Sequence, residues 1–165
     1  MNVLLDDILI FLGRDLEALA RELELFPSED MIWETPAGIT NPAGTLAMHA
    51  CGNLRHYIGA VLADSGYVRD RPAEFETRGL AREELVAEIN RTLEDLREAL
   101  PSLDPSVLDT PFGETVGGIT LPTRRFLIHL CTHLSFHVGQ VGYLRRLMTG
   151  ENTGSGAVSV QPLAI

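Results

Sequence analysis

The sequence predicts an all-α fold, a four-helix bundle, on three observations. Four segments repeat apolar residues at spacings of three and four, the signature of amphipathic helices. The stretches between them concentrate Pro, Gly, Asp and Thr. The chain has 165 residues and 45% hydrophobic content, which is the size of one domain with a real core. Residues 1–150 are read as that single domain and 151–165 as a C-terminal tail.

In the first segment Leu5, Ile8, Leu12, Leu16, Leu19 and Leu23 form the apolar stripe, and the helix ends near Phe26 and Pro27. The second helix takes Asn41 as N-cap and Pro42 as first helical residue, where a missing N–H costs nothing, and runs to about Ser65. Gly66 to Arg78 is polar and contains Pro, so it is expected to be a connection. Leu85, Ile89, Thr92, Leu96 and Leu100 mark a charged third helix, with Pro101 as its stop. The stretch "PSLDPSVLDTPFGETVGGITLP" suits a long structured loop or a short hairpin. A fourth helix begins between Leu121 and Thr123, carries Phe126, Leu130, Val141, Leu144 and Met148 on one stripe, and stops at Gly150. The tail "NTGSGAVSVQPLAI" has no charge and no helical period.

Charge and cysteine usage exclude several classes. With 23 acidic and 13 basic side chains the formal charge is −10, so a nucleic-acid phosphate backbone would be repelled. Cys51 and Cys131 form no C-x-x-C pair, which argues against a disulfide framework or a cysteine zinc site and fits a reducing cytoplasm. Asp6 and Asp7 interrupt the apolar N-terminus, so it reads as an amphipathic helix rather than a signal peptide. No run approaches the roughly 18 apolar residues of a membrane span. "GETVGG" lacks the Lys-Ser/Thr of a phosphate-binding loop.

All five histidines fall in the second and fourth helices. His133 and His137 are one turn apart, so their rings can converge on one metal ion. A third ligand must come from another helix, and His49 is the candidate from the second, with His56 and His129 in reserve. The alternative is that these are core histidines, each satisfied by a hydrogen bond. Cys51 and Cys131 lie two residues from a histidine of this set and should point away from it. Gln140 is placed to reach a ring N–H or a substrate, or to make a structural hydrogen bond. Gly139 and Gly142 each weaken a helix by roughly 1 kcal/mol, which suggests that they admit a neighbouring helix or a partner subunit.

The segments "HLSFHVGQVGYLRRLMTG" and "LAMHACGNLRHYI", with four helices in this order, resemble the DinB-like superfamily, which includes the YfiT-type metal-dependent proteins. The most specific element is H-x-x-x-H-x-G-Q followed by Tyr-Leu-Arg, and the resemblance extends from the first helix to Gly150. It implies a four-helix bundle, commonly a homodimer, with a divalent metal on three histidines that map onto His49, His133 and His137. Members of known activity include mycothiol-dependent maleylpyruvate isomerase and bacillithiol S-transferases.

The leading expectation is therefore a metal-dependent enzyme that transfers a low-molecular-weight thiol to a small electrophile, with zinc or nickel favoured over iron. No catalytic side chain can be named. A second reading is metal-assisted hydrolysis with Glu114 as base, against its ordinary identity as a solvated loop carboxylate. A third is a non-catalytic dimeric bundle. Trp33, Tyr57, Phe112 and Tyr143 could line a pocket, although aromatic side chains in a bundle are more often core.

Overall fold

The computed structural model describes residues 2–164, and among them there are six α-helices and no strand. The four long helical segments coincide with the four periodic stretches: α1 (Val3–Glu24), α3 (Ala43–Leu54), α5 (Arg82–Ser102) and α6 (Thr123–Thr149). α1 packs against α5 and α6, and α3 packs against α5 and α6. Leu5, Ile8, Leu12, Leu16, Leu19 and Leu23 of α1 meet Leu85, Ile89, Leu96 and Leu100 of α5 and Phe126, Leu130, Val141 and Leu144 of α6 in one buried core. Among the described residues no helix is long and apolar enough to cross a membrane.

Local chemistry explains the ends. The Asn2 side chain accepts from Leu4 N–H and caps α1. Gly150 closes α6 at φ 71°, a left-handed cap that a glycine takes without a Cβ penalty. At the start of α6, Thr123 donates both its N–H and its hydroxyl to the Thr110 carbonyl, at 3.0 and 2.9 Å.

Several boundaries differ from expectation. The second predicted helix starts at Ala43, with Pro42 rather than Asn41 in the capping position; the Pro42 carbonyl accepts the first helical bond from Leu46. From Arg55 to Leu62 the same helix widens into π geometry, and the chain then turns at Asp64 and Gly66, both at positive φ. Pro101 lies inside the last turn of α5, which continues one residue further to Ser102, because a proline there removes only one bond near the helix end.

Two short helices lie outside the four periodic stretches, one of them, α4, in the segment expected to be a connection. α2 (Glu29–Trp33) places the Trp33 ring on Gly44, where a methyl group would collide with it, and donates Trp33 Nε1–H to the Leu80 carbonyl at 3.0 Å. α4 (Arg71–Glu76) starts at Asp70, whose carboxylate accepts from Ala73 N–H, with Pro72 in its first turn. It packs on α3. The segment between α5 and α6 holds a 3₁₀ turn, Pro105–Asp109, and two isolated bridges, Pro111 to Pro122 and Val116 to Ile119, which make it a short hairpin-like loop.

The tail is tied to the helices. Arg145 of α6, fully buried, donates Nε–H to Glu22 of α1 at 2.6 Å and Nη2–H to the Thr153 carbonyl. Glu22 also accepts from Ser155 N–H, and Arg21 donates to the Ser155 carbonyl. Gly142 makes room for this pair, since a Cβ there would lie 3.0 Å from Glu22 Oε1.

Candidate metal centre

His133 and His137 leave the same side of α6, one turn apart, as helical geometry requires. Their Nε2 atoms are 3.1 Å apart and their rings are near perpendicular, at 89°. His49 reaches them from α3, its ring centroid 5.3 Å from each of theirs. One nitrogen from each of the three lies within 4.8 Å of the other two.

Outer hydrogen bonds orient two of the rings. His49 Nδ1–H faces Glu74 Oε2 at 2.9 Å, and His137 Nδ1–H faces Gln140 Oε1 at 2.7 Å. With those protons on Nδ1, the Nε2 lone pairs of both rings are free to act as ligands. Two nitrogens each about 2.1 Å from one ion and about 90 to 110° apart are separated by about 3.0 to 3.4 Å. The His133 and His137 spacing falls in that interval, and with His49 within 4.8 Å the three could hold a divalent ion.

Glu74 is the residue that sequence reasoning missed. It is almost fully buried, held by Arg69 through Nε–H to Oε1 at 2.6 Å and Nη2–H to Oε2 at 2.9 Å, and it bonds His49 at the same time. Its access depends on Gly52, where a methyl group would overlap the carboxylate. Burial alone would raise the Glu74 carboxyl pKa, but the bonds from His49 and Arg69 outweigh it and hold the group below its ordinary value. Asp70 followed by Arg71 and Pro72 is a legible helix start. Nothing in the pattern says which of 23 acidic residues meets a histidine.

The two triad imidazoles of α6 are held toward the neutral form. Burial, followed by the neighbouring His137, His49 and His129, pushes His133 down to about 4. Burial also lowers His137, partly offset by the bond to Gln140. Neutral imidazole is the ligating form.

Other candidate residues lie elsewhere. His129 is exposed, with its ring 5.9 Å from that of His133. His56 is half-buried and pairs with Glu114 at 3.0 Å, so Glu114 is not free as a base. Cys51 is buried and Cys131 faces α1; burial pushes both thiols up to about 12. Trp33 sits on Gly44, Phe112 packs against Phe126, and Tyr143 is exposed. Tyr57 does line a cleft beside the triad, of about 190 Å³. A larger cavity of about 540 Å³ lies on the Gln140 side and contains none of the three histidines.

Residues 14–160 match a family described as Protein of unknown function (DUF1572). No curated protein matches the chain.

Proposed function

We propose, for a chain that belongs to the DUF1572 family, a place within the DinB-like superfamily and a divalent-metal-dependent thiol transfer to a small electrophile. The observation that carries this is the convergence of His49, His133 and His137 with two outer partners, Glu74 and Gln140, set to free the ligating nitrogens. Zinc or nickel is favoured, and iron also suits an all-imidazole donor set. A divalent cation there supplies the charge that lowers a thiol pKa from about 8.5 toward neutrality.

The chain's own residues do the rest. Three protein ligands leave coordination positions for a small molecule, unlike a closed structural site. Neither cysteine can supply the nucleophile, since both thiols stay protonated at neutral pH. The thiol must therefore come from outside. Glu74 and Arg69 fix the His49 ring, and Gln140 fixes that of His137.

A homodimer is part of the proposal. Ile128, Phe136, Tyr143 and Leu147 are exposed apolar residues that form a stripe about 100° wide on α6. Gly139 lies on that stripe with open space where its Cβ would be. Such a stripe is suited to a second helix.

The test is elemental analysis of protein purified without chelators, followed by thiol-transfer assays on the metal-loaded chain and on His133→Ala. Loss of both metal and transfer in the variant is expected. A metal-free variant with full transferase activity would overturn the reading.

A further inference from the structure

We propose that the cleft beside the triad binds a carboxylate-bearing ligand, with the acid group on Arg71 and a ligand N–H or O–H on Asn53. This rests on the reading that a small molecule docks at the three histidines. The cleft is lined by His49, His133, Asn53, Arg69 and Arg71, among others. At about 190 Å³ it is smaller than the roughly 300 to 1,000 Å³ of sites for drug-sized molecules, so the ligand is small.

Its charge runs against that of the protein. The chain carries a net −10, yet no Asp or Glu lines this cleft and two arginines do. Arg69 is neutralised from behind by Glu74. Arg71 is exposed and, among the described residues, has neither a carboxylate nor a hydrogen-bond acceptor. Its guanidinium is held over the Phe75 ring, 5.0 Å from the centroid, and Phe75 in turn lies 5.0 Å from the His49 ring. A stacked guanidinium keeps its N–H fork free for bidentate contact with a carboxylate.

Asn53 supplies an independent observation. It lies one turn after His49 on α3, is only 8% exposed, and its Oδ1 is buried without a hydrogen-bond partner. A buried amide oxygen left unpaired costs about 1 to 3 kcal/mol, and a rotation of the Asn53 amide that turns Oδ1 toward a ligand donor in the cleft would remove that cost. An acid group at Arg71 and a donor at Asn53 together place the remaining end of a small molecule against His49 and His133.

The test is calorimetric titration of the zinc-loaded full chain with 3-mercaptopropionate and its uncharged counterpart 3-mercaptopropionamide, and with thiol-free succinate. The acid is expected to bind at least tenfold more tightly than the amide. Arg71→Gln should abolish that ratio without changing the affinity for the amide. Asn53→Ala should weaken N-acetyl-L-cysteine, which has an amide N–H, more than 3-mercaptopropionate, which has none; if that variant fails to fold, the Arg71 comparison alone decides. Equal binding of acid and amide, unchanged by Arg71→Gln, would overturn the inference and leave thiol binding at the triad intact. Succinate binding that depends on Arg71, with no binding of the uncharged thiol, would support the anion cleft and count against the thiol reading. No binding of any acid would overturn the inference.

Discussion

Gly52 and Glu74 face each other so closely that a methyl group on the glycine would occupy the space of the carboxylate. The absence of one side chain thus secures the hydrogen bond that orients His49. Gly52→Ala should displace Glu74 and lower metal affinity by about 10- to 100-fold, the usual effect of losing an outer partner of a ligating histidine. Glu74→Ala should have an effect of the same size. The double variant Gly52→Ala, Glu74→Ala should fall well short of the sum, since the second change relieves the collision created by the first. Competition with a chromophoric chelator measures all of these. Full additivity would show that Gly52 and Glu74 act separately.

Metal should stabilise the fold. An ion at 100 times its Kd adds about 2.7 kcal/mol, which corresponds to roughly 5 to 10 °C in Tm for a chain of this size. Scanning calorimetry with and without zinc checks this. The triple alanine variant of His49, His133 and His137 should show no shift.

Acid should weaken the metal-free chain. His133 titrates near 4 when folded and near 6.5 when unfolded, so the unfolded state binds the extra proton between those values. Its contribution is present above about pH 6.5 and is lost as pH falls toward 4. Glu74, depressed from 4.5, adds a loss in the same direction as pH falls through its folded value. Denaturant midpoints measured from pH 7 to 4 should fall steadily, and a flat profile would contradict the His133 shift.

The Arg145 and Glu22 pair gives a separate prediction. Arg145→Met leaves Glu22 without its buried partner and should cost about 3 to 5 kcal/mol. Adding Glu22→Leu should restore part of that. Hydrogen exchange at residues 153–155 should rise in the single variant, because their backbone groups bond to this pair.

Phe136→Asp should yield a monomer if the exposed stripe of α6 is an interface. Light scattering at micromolar concentration reads this directly, and a parent chain that is already monomeric would count against the dimer.

The long elements were legible because their burial is periodic: Leu5 through Leu23 and Leu85 through Leu100 are core residues at helical spacing. The His133 and His137 pair was visible for the same reason. What escaped sequence reading depended on contacts distant in the chain. α4 is only six residues long, too short for a period, and it supplies Glu74. The π-helical turn at Arg55–Leu62 leaves no compositional mark. The uncharged tail carried no sign of its attachment because its anchors are backbone groups, met by charges on α1 and α6.

His49 and the pair on α6 stand on separate helices far apart in sequence, with Glu74 on a third. The three histidines that could hold an ion come together only once these helices have docked, so a bound ion would have more effect on leaving the native state than on reaching it. Metal should therefore slow unfolding while leaving the folding rate nearly unchanged, and the rate at which zinc escapes to a chelator would serve as a clock for the parting of α3 from α6.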